Sequence, residues 1–151
     1  VVDRFRADNE FIFHLSTQNA NALCCRTAIA TIQELQKNQN GLLKHAQAMG
    51  DYFAERIENE LIPEYQRIFD LRRRGMMFAI DFLDRDMTGR MMFDDLLKIV
   101  NLLKKYGVIM EWSYIEGVTS SLVLFLPYII ETEQIDAIID KFMMTFKRIL
   151  N

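Results

Sequence analysis

The chain has 151 residues, with 18 Lys and Arg against 21 Asp and Glu for a formal charge of −3, and half of it is apolar. That is the composition of one folded domain with a sizeable core, not of a disordered tail, and the acidic balance lacks the clustered basic surface that nucleic acid requires. No apolar run approaches the ~20 residues of a membrane span, and no apolar stretch follows the charges of Val1-Val2-Asp3-Arg4-Phe5-Arg6-Ala7, so these residues are not expected to act as a signal peptide.

Apolar residues at Ala22, Cys25, Ile29, Ile32 and Leu35 predict a helix from Asn21 to about Lys37, because that spacing draws one helical face. Asn38-Gln39-Asn40-Gly41 breaks it, with Gly41 as the turn residue. A second helix is expected from Leu42 to about Leu61, with Leu43, Ala46, Met49, Phe53, Ile57 and Leu61 on one side and Pro63 closing it. Met76 to Leu83 is a short apolar run after Gly75 and predicts a buried strand, followed by a charged turn from Asp84 to Gly89. A third helix is expected from Phe93 to Tyr106, ended by Gly107. Val108–Trp112 and Ser121–Leu126 predict two more strands, and Ile135, Ile138, Ile139, Phe142, Phe146 and Ile149 stripe a last helix. Two strands joined by a short loop favour antiparallel pairing. The expected fold class is α+β, a small, mainly antiparallel sheet packed by about four helices.

Few residues suggest self-contained chemistry. His14 and His45 lie far apart, and no zinc, calcium or nucleotide-binding motif occurs, so no metal site is expected. Adjacent Cys24 and Cys25 cannot make a disulfide framework, which points to a reducing, cytoplasmic setting. They read as small buried residues on the helix stripe in preference to a reactive thiol pair. Arg72-Arg73-Arg74 reads as a solvated strand edge with gatekeeper charges ahead of an anion site. The pairs Met76-Met77, Met91-Met92 and Met143-Met144 read as core filler, and Trp112 as a packing residue at a strand end. Ser16 and Thr17 stand just ahead of a predicted helix start, where hydroxyls serve either as caps or as part of an anion seat.

The stretch His14-Leu15-Ser16-Thr17-Gln18-Asn19-Ala20-Asn21-Ala22-Leu23-Cys24-Cys25 resembles the H-G-S-T-F-G-G-N-P-L-A-C segment of the class III pyridoxal-phosphate aminotransferases. Arg72 to Asp81 resembles that family's R-G-x-G-L-M-x-x-I-E, and Leu122 to Asp136 its L-R-L-L-P-P-L-V-I-T-E-E-E-I-D. The resemblance implies a fragment of a longer enzyme. Residues 1–20 would lead in from an absent large domain and carry the phosphate-contact loop, and residues 21–151 would form the small domain of a fold-type I enzyme. The implied full-length enzyme uses pyridoxal 5'-phosphate to move an amino group between an amine or ω-amino acid and a 2-oxo acid, as a homodimer. Its catalytic lysine would lie upstream, so no catalytic residue falls in this chain and the fragment alone would be inactive. Thr17, with Ser16 beside it, is the implied contact to the cofactor phosphate of the neighbouring subunit. Val123 falls where many members carry an arginine for the substrate carboxylate, and an aliphatic side chain cannot replace a guanidinium clamp. The alternative is a non-catalytic α+β assembly or ligand-binding module derived from the same fold.

Overall fold

The computed structural model of the protein describes residues 21–150. Helix α1 (Ala22–Arg56) starts at Asn21, whose side-chain carbonyl accepts the backbone N–H groups of Leu23 and Cys24, each at 3.1 Å. The helix is interrupted in its middle. Lys37 is extended, and Asn38, Gln39 and Asn40 take left-handed φ angles of 49°, 56° and 64°. The two expected helices are therefore present, but these three residues make the reversal and Gly41 does not. The second half continues through a π-helical turn (Ile57–Leu61) into α2 (Ile62–Glu64), which contains Pro63, and Tyr65 is extended beyond it.

Four strands follow where the sequence suggested three. The additional strand, β1 (Ile68–Arg74), holds four charges in seven residues and therefore has no apolar run to announce it. It pairs with β2 (Met77–Phe82) through a two-residue turn at Gly75 and Met76, Gly75 having φ 57°. Helix α3 (Phe93–Lys105) is followed by Gly107 at φ 82°, as expected of a left-handed stop. Strand β3 (Glu111–Ile115) begins three residues later than predicted, and β4 (Thr119–Phe125) leads towards α4 (Thr132–Ile149). Helix α4 opens on a capping box: Gln134 accepts the Glu131 N–H at 3.0 Å while the Glu131 side chain caps in return.

The sheet order is β1-β2-β4-β3, antiparallel throughout. The α+β expectation holds, with the long helical pieces being the two halves of α1, α3 and α4. Strand alternation divides the sheet into two faces. Phe78, Ile80 and Phe82 of β2 and Leu122 and Leu124 of β4 point into the helices and are buried. There they meet Phe53 and Ile57 of the α1 region, Leu96, Ile99 and Leu103 of α3, and Ile135, Ile139, Phe142 and Phe146 of α4. Phe53 is central, with its ring centroid 4.9 Å from Phe78, edge to face, and 6.4 Å from Phe142. The first half of α1 takes no part in this core: Leu23, Ile29 and Ile32 are 77%, 47% and 54% exposed.

Candidate functional site

Ser16, Thr17 and His14 lie outside the described residues. What is described is the helix they lead into. There the Asn21 carboxamide already takes the amides of Leu23 and Cys24. Capping is thus supplied by Asn21 itself, and an anion arriving here would depend on other donors. Cys24 and Cys25 are both exposed, which corrects the expectation that they are buried. The stripe they belong to is real, but nothing among the described residues covers it.

The other feature that the motifs mark is the open face of the sheet. Alternation puts Arg72 of β1, Ala79 of β2, Val123 of β4 and Glu111 of β3 in one cross-strand row. Val123 is half-buried there, in a shallow depression that it shares with Arg72, Met77, Ala79, Ser113 and Phe125. No guanidinium comes from position 123. Met77 and Phe125 are 49% and 63% exposed, so the face is markedly apolar for a surface.

Beside this row sits an ion cluster. Asp81 is 5% exposed although it belongs to the open face. Its two carboxylate oxygens accept from Arg72 Nε and Nη2 at 2.9 Å each, in the bidentate geometry that suits a guanidinium. The Ser121 hydroxyl, directly across the β2–β4 register, also donates to Asp81. Thr119 Oγ1 lies 2.8 Å from Ser121 Oγ and extends the chain of hydroxyls. Burial alone would push the Asp81 carboxyl up. The Arg72 guanidinium, the Ser121 hydroxyl and the charge of Arg90 together outweigh it and hold the group below its ordinary value. These polar groups satisfy one another, so the arrangement braces β1, β2 and β4.

The three consecutive arginines thus divide. Arg72 faces the open side and pairs with Asp81. Arg73 turns to the helix side, donates to Asp51 at 2.5 Å and to the Gly75 carbonyl at 3.0 Å, and lies 5.4 Å from the Phe78 ring centroid. Arg74 is exposed. The edge-strand reading therefore accounts for the run better than an anion site. The methionines divide too: Met76 and Met91 are buried in the core, whereas Met77, Met92, Met143 and Met144 are on the surface and are not filler. Trp112 packs its ring 5.3 Å from Phe93 while remaining 41% exposed. His45 Nε2 lies 2.8 Å from the Ile130 carbonyl, a structural tie between α1 and the segment before α4.

Sheet and helices together define a small α+β unit, and comparison with known proteins gives its class. The family model for aminotransferase class-III matches residues 1–146, and the chain belongs to that family. It is 30% identical over 128 residues to the leucine/methionine racemase of Thermococcus litoralis, covering 85% of this chain and 27% of that protein. To the acetylornithine aminotransferase of Methanosarcina mazei it is 28% identical over 129 residues, covering 84% and 27%. An aminotransferase from Bacillus anthracis superposes with a TM-score of 0.79 at 25% identity, over 92% of this chain and 31% of that one. The PMP-bound aminotransferase of Vibrio fluvialis shares the fold with a TM-score of 0.72, over 98% and 31%. The chain spans about a quarter of the length of the curated relatives it matches.

Among the described residues no helix is long and apolar enough to cross a membrane, and no group of three or more His, Cys, Asp or Glu could hold a metal ion. The polar groups of the open face are engaged with one another, so that face by itself does not assemble a phosphate cradle. Ser16 and Thr17 have the chemistry for one, since hydroxyls donate readily to phosphate oxygens.

Proposed function

We propose that this chain is the small-domain part, residues 21–151 with a lead-in at 1–20, of a longer pyridoxal-phosphate-dependent aminotransferase. That enzyme would transfer an amino group between an amine or ω-amino acid and a 2-oxo acid. The family match over residues 1–146 carries this reading, and the chain's coverage of about a quarter of its relatives supports a larger whole. The cofactor supplies the electron sink for chemistry at the amino-bearing carbon, and the protein supplies binding and orientation. In this chain the binding role falls to Thr17, with Ser16 beside it, donating to the cofactor phosphate of the neighbouring subunit in a homodimer. Val123 leaves the open face without the family's arginine, so the substrate carboxylate, if the substrate has one, is held by another group.

The similarity to a racemase favours a second reading within the same chemistry, inversion of an amino acid in place of amino transfer. One experiment separates the readings. The protein is purified from its source and its intact mass is measured before and after borohydride reduction. It is then assayed for 2-oxo-acid-dependent amino transfer and for D-amino acid formation. A longer chain that gains a pyridoxyl adduct and consumes a 2-oxo acid meets the first reading, and inversion without consumption of an oxo acid meets the second. A natural chain of 17.8 kDa with no adduct would overturn both and favour a non-catalytic module. The isolated 151 residues are expected to show no amino transfer.

A further inference from the structure

Away from the open face, Arg67 is 8% exposed and is the one buried cation among the described residues. It stands just ahead of β1. Its Nε donates to the carbonyls of Leu83 and Asp84 at 3.3 and 3.2 Å, and Nη1 to the Ile149 carbonyl at 3.3 Å. All three acceptors are neutral and long. Nη2 is buried and has no hydrogen-bond partner among the described residues. A buried guanidinium that hydrogen-bonds only to carbonyls keeps much of its desolvation cost: burial pushes Arg67 below its ordinary value, and the charges of Asp95 and Asp84 offset only part of that.

The nearby carboxylates are committed elsewhere. Asp95, in the first turn of α3, accepts from Lys98 at 2.6 Å and lies 3.9 Å from Arg85. Asp84 turns into its own loop, accepting the Thr88 amide at 3.0 Å. Between them opens a recess of about 410 Å³ lined by Arg67, Arg85, Asp95, Lys98, Arg148 and Leu150. Four cations therefore converge on one carboxylate, brought together from the start of β1, the loop after β2, α3 and the end of α4. The carbonyls at the C-terminal end of α4 oppose an anion, and the cations outnumber that partial charge.

We propose that this recess binds a small anion of the phosphate class. It would accept from the buried Arg67 guanidinium at its floor and from Arg85, Lys98 and Arg148 at its rim. The site owes nothing to the open face or to Ser16 and Thr17, and stands whether or not the aminotransferase reading does. Arginine suits it because a planar fork meets two oxygens at once.

The test is isothermal titration of inorganic phosphate into the protein as purified from its source, with whatever cofactor it carries left bound and no free phosphate ester in solution. The reference is chloride at matched ionic strength. Saturable binding at one site per chain is expected, weakened about tenfold or more in Arg85→Ala/Arg148→Ala, whose exposed side chains leave the core intact. Thermal melting is the second measurement: phosphate should raise the Tm of the parent protein above the chloride reference and lose that effect in the double variant. No saturable binding in the parent protein, or equal binding and equal stabilisation in the double variant, overturns the proposal.

Discussion

The ion cluster on the open face makes an asymmetric prediction. Asp81 is buried and Arg72 is not, their side chains being 7% and 54% exposed. Removing the guanidinium in Arg72→Met strands a carboxylate inside the protein, whereas neutralising the carboxylate in Asp81→Asn leaves an arginine that water can still reach. Breaking a fully buried pair costs about 3–5 kcal/mol, but Arg72 is half in solvent and Ser121 keeps donating, so Arg72→Met should cost about 2 kcal/mol. Asp81→Asn, which keeps the shape, should cost about 1 kcal/mol. The double variant no longer contains a stranded charge and should cost about 1.5 kcal/mol, well short of the sum. Urea unfolding read through Trp112, the single tryptophan of the chain and part of the same sheet, supplies the free energies. Additive costs in the double variant, or a smaller loss for Arg72→Met than for Asp81→Asn, would refute the reasoning.

The same cluster fixes a pH dependence. The folded protein holds the Asp81 carboxyl below its unfolded value of about 3.9. Its stabilising contribution is therefore complete above that unfolded value and is lost as pH falls through the folded one. Without Arg72, burial remains and its largest opponent is gone, so the carboxyl rises and protonation relieves the stranded charge. The deficit of Arg72→Met should shrink as pH falls from 7 towards 4. A deficit that stays constant or widens over that interval would mean that Asp81 is not the group responsible.

Three further outcomes follow from packing and chemistry. Phe53→Ala empties the centre of the aromatic cluster and should cost about 3–5 kcal/mol in the same urea assay. Gly75→Val should cost about 1–2 kcal/mol although an added Cβ would touch nothing within 4 Å, because the penalty lies in the φ of 57° at the β1–β2 turn; an unchanged urea midpoint would dismiss it. In the full-length protein, Thr17→Ala should weaken pyridoxal phosphate binding about tenfold or more, the loss expected for one hydrogen bond to a charged group, measured by equilibrium dialysis. Unchanged affinity would remove Thr17 from the phosphate seat.

How far the sequence could be read differs from element to element, for physical reasons. Helix α4 and strand β2 were legible because one face of each is buried, and burial is what writes a periodicity. Strand β1 was not, since an edge strand protects itself with charge and so erases the apolar pattern that would reveal it. Strand β3 is an edge as well. The apolar Val108 and Ile109 drew its predicted start forward, yet Val108 is buried ahead of the strand and Ile109 is 83% exposed. Asp81 had a usable signal: a carboxylate inside the apolar run from Met76 to Leu83 is seldom buried without a partner. The identity of that partner required the β1–β2 register, which places Arg72 and Asp81 on the same face nine residues apart. Ser121 required the β2–β4 register as well, across a separation of 40 residues. The first half of α1 marks the opposite limit. Its stripe at Cys25, Ile29 and Ile32 is as regular as that of α4, and the same reasoning placed both in a core. Periodicity records which side of a helix avoids water, not whether the surface that covers it belongs to the same stretch of chain.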